Sequence, residues 1–264
     1  FVMSVAQGIA VLLGGILSDI NFLYAYILGT IVQIAALLIS FNFKEPDINY
    51  IQDDTNIRKE KVLINQVKLS INVLMVRKLI FYIIIFSALV GSLQTTVFFY
   101  SQQYFSNLGY TKTAIAIICA LGSLAEAFSS KYAYKLEEWL KFKGILLSIS
   151  SVNIFALVGL SLFKEFSVFF YMLTCITGGL AYTIFSNYIN MGIPSEYRAT
   201  ILSFDSLCFS VFMICIFPLF GFVAEYMGFT ATFIMTAIVY ILPMIFLIKK
   251  LIKHNFILCE LKQM

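Results

Sequence analysis

The chain has 264 residues, of which 61% are hydrophobic and only 12% charged, with 27 Phe and 15 Tyr; its mean hydropathy is +0.92. A soluble domain carries about 25% charged residues, so this composition excludes an ordinary water-soluble fold and indicates a membrane protein. The net charge of +4 is spread over short loops instead of one patch, which excludes a nucleic-acid surface.

In chain order, the sequence opens on Phe1 and is apolar at once, without the charged n-region or small-residue cleavage site of a signal peptide. It reads as a fragment that starts inside a helix. The first apolar segment covers about 2–17 and carries Gly8, Gly14 and Gly15. Asp19-Ile20-Asn21 predicts a tight turn, and a second segment follows over about 22–43. Lys44-Glu45-Pro46 closes it, because proline drives its predecessor out of the α region. The only long polar stretch then runs to about Lys78. Within it Ile64, Val67, Ile71 and Leu74 recur at spacings of three and four, with Lys61 and Lys68 off the stripe. That pattern fits an amphipathic helix on the membrane surface, or a solvated linker with chance periodicity.

Six more apolar segments follow, at about 79–104, 113–130, 144–163, 166–193, 199–223 and 230–248. Each approaches or exceeds the roughly 20 residues a helix needs to cross the hydrocarbon core. None alternates strictly, so they are helices and not barrel strands. The expected fold is all-α: a polytopic membrane protein with eight transmembrane helices in a 2 + 6 arrangement. Residues 1–43 hold the first two helices, 44–78 the linker, 79–250 the remaining six, and 251–264 a tail. Placing the linker in the cytoplasm puts sixteen of the eighteen basic residues on that side, with Lys112 and Lys164 outside. The expected location is the cell membrane, multi-pass, with linker and C-terminus cytoplasmic.

Several stretches carry more than hydropathy. In 193–207, IPSEYRATILSFDSL, Pro194 breaks two apolar segments, Ser195 is a candidate helix cap, and Arg198 precedes a small-residue start. FKEP stands at 43–46, GFVAEYMGF at 221–229 and SLAEAFSSKYAYKLEEWLKFKG at 123–144. In this order and spacing they resemble bacterial members of the major facilitator superfamily, at the start of helix eleven, the end of helix six, the link to helix twelve and the second-half loop motif. The last lacks an Asp-Arg-x-Gly-Arg run. A codon bias toward Lys, Ile, Phe, Asn and Tyr suits an AT-rich bacterial genome. The resemblance spans essentially the whole chain and implies helices five to twelve of a two-half transporter, truncated at the N-terminus. AQGIAVLLGG at 6–15 is similar to the glycine-rich pattern of drug–proton antiporters, with Ala10-Val11 where those carry Gly-Pro. A drug-efflux-like secondary transporter is therefore implied.

Glu126 and Asp205 are the two acids well inside apolar segments, where a charge is expensive and faces a cavity or a partner. Two readings stand for each. Either they hold a cytoplasmic gate or interhelical ion pairs with Arg198 and Lys131, or one couples protons or cations to transport. Glu126 is the favoured coupler, because it shares a helix face with Cys119, Gly122 and Ser123, whereas Arg198 lies two turns before Asp205. Ser87, Gly91, Gln94, Phe98 and Gln102 share another face, as do Thr174, Gly178 and Ala181. The resemblance implies that such faces line the central cavity, making Gln94, Phe98, Gln102, Ser123, Thr174 and Gly178 candidate substrate contacts; helix packing through small residues is the other reading. No basic cluster lies on these faces, which favours an apolar or weakly cationic solute over a sugar phosphate. The implied partners are the lipid bilayer, a small-molecule substrate and, under the coupling reading, protons.

The five cysteines lack CxxC spacing and His254 stands alone, so no metal site or disulfide framework is indicated. There is no HExxH, no GxSxG and no phosphate-cradling glycine loop, and no cofactor or enzyme activity is expected. The alternatives are a membrane-embedded transferase, which would want a loop-borne cluster of His, Asp and Arg, and an inactive transporter fragment.

Overall fold

In lipid, every backbone N–H and C=O must find its partner within the segment, so apolar runs of this length fold as helices. The computed structural model describes residues 1–43, 77–193 and 197–254. Among them are six α-helices: α1 (Val2–Ile20), α2 (Phe22–Ser40), α3 (Lys78–Asn107), α4 (Lys112–Leu162), α5 (Ser167–Met191) and α6 (Arg198–His254). Each is long and apolar enough to cross a membrane. The amphipathic pattern from Ile64 to Leu74, the FKEP residues after Phe43 and the break at Pro194-Ser195-Glu196 lie outside the described residues.

The turn expected at Asp19–Asn21 is made by one residue. Asn21 is extended, and its side chain accepts a hydrogen bond from the Leu23 amide at 2.9 Å, capping α2. No residue of α2 is buried; an uncharged, mostly apolar helix with exposed Ile31 and Leu38 has the surface of a lipid-facing element. Between α3 and α4 the chain turns at Gly109, and Thr111 caps α4 by accepting from the Ala114 amide at 3.2 Å.

Helices α4 and α6 have 51 and 57 residues. Straight, they would reach about 76 and 85 Å, more than twice the hydrocarbon thickness. Both double back instead. Residues 112–140 run alongside α5 in the same direction: Gly122 meets Tyr171, Gly179 meets Glu126 and Ser130, and Tyr188 bonds Glu137. Residues 142–162 run the opposite way, with the Phe142 ring 5.0 Å from Tyr188, Asn153 bonded to Thr177, and Gly159 against Phe170. The reversal falls at Lys141 (φ 56°, ψ 171°). In α6 it falls at Gly228 (φ 76°, ψ 163°), where glycine adopts a left-handed φ without a Cβ penalty. Phe204 stacks near Phe81 and Phe217 near Tyr100 before that point; afterwards Phe233 packs on Tyr104, and Tyr240 faces Leu89 and Leu93 across an apolar groove.

The sequence suggested a polar loop at 131–143, yet the helix continues to 140. Lys, Leu, Glu and Ala are strong helix formers, so leaving the apolar segment does not end the helix; only Lys141 departs from it.

The core lies among α3, α4, α5 and α6, where Ile83, Phe86, Phe105, Tyr171, Phe185 and Phe233 are fully buried. Edge-to-face pairs order it, Phe86 on Phe185 at 5.1 Å and Phe105 on Tyr171 at 5.7 Å. Helix α1 docks on α4 through small residues, Gly8 over Ala120 and Ser123, and Gly15 over Ala116. Polar contacts fasten both ends of that seam. Ser4 donates to Glu126, and Asp19 accepts from the amide and hydroxyl of Thr113 at the start of α4, where the helix dipole favours a carboxylate.

Candidate functional site

A cavity of about 510 Å³ lies between α3, the first part of α4, α5 and the first part of α6, with Gln7 of α1 at its rim. Helical spacing brings its walls together. From α3 come Ser87, Gly91, Gln94, Thr95 and Phe98; from α4 Glu126; from α5 Tyr171, Thr174, Cys175 and Gly178; from α6 Asp205, Phe209 and Ser210. Both intramembrane acids therefore face one space. No Lys, Arg or His is among the lining residues.

Of the residues singled out from sequence, Gln94, Phe98, Thr174, Gly178, Glu126 and Asp205 line this cavity. Ser123 is buried behind it, facing Gly8, and donates to the Cys119 carbonyl at 3.1 Å. Gln102 is half-buried one turn beyond Phe98, and is not part of the wall. Lys131 and Arg198 are exposed. The Lys131 ammonium sits 5.8 Å from the Tyr132 ring centre. Glu126 takes its hydrogen bond from Ser4 Oγ at 3.2 Å.

Ten lining residues were absent from the sequence-based set, among them Tyr171, Phe209 and Gln7. Tyr171 is one turn ahead of Thr174 and Cys175 on the same face, so extending the 174–178–181 stripe backwards would have found it. Phe209 is likewise one turn after Asp205. Gln7 left no such signal, because only the docking of α1 on α4 brings it to the rim. The Tyr171 hydroxyl is fully buried and has no hydrogen-bond partner among the described residues. It lies beside Cys175, close to the point where a side chain on Gly122 would stand.

Chemically, this wall offers groups that can bind and orient a small molecule. Among the described residues no three His, Cys, Asp or Glu are grouped to hold a metal ion, and the cysteines at 119, 175, 208 and 215 are free thiols. Two carboxylates, amides and hydroxyls are set in a mostly apolar, partly aromatic wall around a cavity of solute size.

A family model described as Major Facilitator Superfamily matches residues 1–211. The chain belongs to the major facilitator superfamily. It is also similar to an uncharacterized MFS-type transporter, YxaM of Bacillus subtilis (strain 168), with 20% identity over 236 residues. That alignment takes in 88% of this chain and 58% of the relative, so the chain spans well under two thirds of that protein's length. Members of this superfamily are membrane transporters.

Proposed function

We propose that this superfamily member serves a secondary active transporter exporting a small apolar or weakly cationic solute in exchange for protons. The observation that carries the reading is the cavity: two carboxylates and no cation, lined chiefly by four membrane-length elements. A carboxylate in the hydrocarbon region is costly, up to about 2.5–3.5 kcal/mol at its centre on insertion scales, so acids persist there where a cation, a proton or a polar partner meets them. The aromatic groups Phe98, Phe99, Tyr182 and Phe209 supply surface for an apolar body and, for a cation, the negative faces of the rings.

In this reading α4 and α6 each cross the bilayer twice, so the described residues make eight passes. The reversals at Lys141 and Gly228 support that count, as does the length of each arm. Helices α1 and α2 are then the last two of the first half, 44–78 is the cytoplasmic linker between halves, and 79–250 is the second half. The protein lies in the cell membrane with its C-terminus cytoplasmic. Glu126 is the coupling residue, Asp205 shares the chamber, and Lys131 and Arg198 flank its cytoplasmic gate.

Proteoliposomes of the full-length protein test the function. An imposed pH gradient is expected to drive the amidinium dye 4′,6-diamidino-2-phenylindole across the membrane, and nigericin to abolish that flux. Equal flux with and without the gradient removes proton coupling; flux no greater than in empty liposomes removes the transport reading. Orientation has a separate test in a background free of native cysteines. In intact cells a membrane-impermeant maleimide should label a cysteine at Asn107 and miss one at Thr55. The reverse pattern would invert the topology.

A further inference from the structure

The cavity wall carries a hydrogen-bond polarity that can be followed from a backbone carbonyl outward. A carbonyl can only accept. Asn153, fully buried on α4, donates Nδ2–H to the Ile149 carbonyl at 2.9 Å, so its Oδ1 is left to accept. Thr177, 3% exposed on α5, has its hydroxyl 3.0 Å from that Oδ1, 2.9 Å from the Thr174 carbonyl and 3.1 Å from the Leu173 carbonyl. All three neighbours accept only, and a hydroxyl has one proton. Whichever takes it, Thr177 can offer its fourth neighbour nothing but a lone pair.

That neighbour is Gln94, whose Nε2 lies 3.3 Å from Thr177 Oγ1. The amide must therefore donate to Thr177, which settles which end is oxygen and which is nitrogen. The flipped amide would set two lone-pair oxygens together and strand a buried group. Gln94 Oε1 is consequently turned to the cavity, 3.4 Å from where a side chain on Gly178 would begin, and accepts no hydrogen bond among the described residues. Three further hydroxyls on the wall follow the same rule, while Ser87, Thr95, Tyr171 and Tyr182 donate to no acceptor among the described residues. Thr174 gives its proton to the Tyr171 carbonyl at 2.7 Å, Ser206 to Leu202 at 3.1 Å and Ser210 to Ser206 at 2.9 Å. Each is left presenting lone pairs, alongside the carboxylates of Glu126 and Asp205.

We infer that the chamber selects a solute whose cationic end carries N–H donors, a protonated amine or amidine instead of a quaternary ammonium, and that Thr177, outside the cavity, is the positioning residue that sets this preference through Gln94. This rests on the cavity being a cation transport site and narrows the substrate class within it. Every acceptor left facing the chamber is met by an N–H group, whereas a trimethylammonium head leaves those acceptors desolvated and unpaired.

The test compares naphthylethylammonium with its N,N,N-trimethyl counterpart, which has the same ring and charge but no N–H. Binding to the full-length protein in nanodiscs is read by equilibrium dialysis at pH 7. The native protein is expected to prefer the ammonium by about tenfold. Thr177→Val frees the Gln94 amide to turn and should bring the preference below about twofold, whereas Thr177→Ser retains it. If Thr177→Val is not monodisperse, Gln94→Leu removes the acceptor directly and should have the same effect. Binding of both cations without preference, or a preference untouched by Thr177→Val and Gln94→Leu, overturns the polarity argument and leaves the transport reading standing. Failure of both cations to bind the native protein overturns the cation site and this inference with it.

Discussion

Glu126→Gln in the full-length protein is expected to keep solute binding through Asp205 and Gln94 and to lose pH-driven transport, with net flux down about a hundredfold and solute exchange retained. The substitution keeps the shape of the side chain and removes its charge, so it resembles the protonated carboxyl at every pH. A step that depends on loading and unloading that proton then cannot turn over. The magnitude is that of losing about 2.7 kcal/mol of coupling to the proton gradient, which is about two orders of magnitude in rate. The contact with Ser4 suggests how the charge is felt across the protein. Ser4 Oγ donates to Glu126 Oε1 at 3.2 Å from α1, the helix docked on α4. A hydrogen bond to an ionised oxygen is roughly twice as strong as one to a neutral group, so protonation loosens the seam between α1 and α4. Exchange measured with saturating solute on both sides separates binding from coupling. Net transport by Glu126→Gln with an unchanged pH profile would sink the coupling role and leave Glu126 as a gate residue.

Most of the helices were legible in the sequence because the bilayer allows few alternatives. Runs such as 22–43 and 79–104 have one stable form in lipid, and their length and polarity announce it. The connection at 131–143 was misjudged because charge marks the edge of the membrane, not the end of a helix. Lys135, Glu137 and Glu138 are helix formers wherever they stand. The cavity was legible as stripes: Gln94 and Phe98 on α3, Thr174 and Gly178 on α5, and the acids at 126 and 205 all fell on the faces that met. Stripes fix direction around a helix but not depth along it, so Gln102 was assigned with Gln94 although it lies two turns further on. Nor could pattern alone find the Asn153–Thr177–Gln94 relay, because it joins three helices whose mutual register is set by packing.

That register depends on one close approach, which leads to the largest expected effect on stability. Gly179 sits where α5 crosses α4. A Cβ built there would collide with the Glu126 carbonyl and the hydroxyl of Ser129, and press on Ser130, whose hydroxyl already bonds the Gly179 carbonyl at 3.1 Å. Two of these are side chains with some freedom; the carbonyl belongs to the backbone of α4 and yields only if the helices separate. Helix propensity alone would favour Gly179→Ala by about 1 kcal/mol. Overpacking against a backbone typically costs about 1–3 kcal/mol and sometimes more, so the net sign is destabilising. Thermal unfolding of the purified protein in detergent should show a drop of about 4–8 °C for a net loss near 2 kcal/mol. Gly29 is the internal control: nothing stands within 4 Å of its added Cβ, so Gly29→Ala should be neutral or raise the midpoint slightly. Because the displaced carbonyl is that of Glu126 itself, Gly179→Ala should also depress pH-driven flux at temperatures where the protein remains folded. Equal midpoints for Gly179→Ala and Gly29→Ala would mean that α4 and α5 can part without cost, and that the register holding Glu126 to the cavity is not set by this contact.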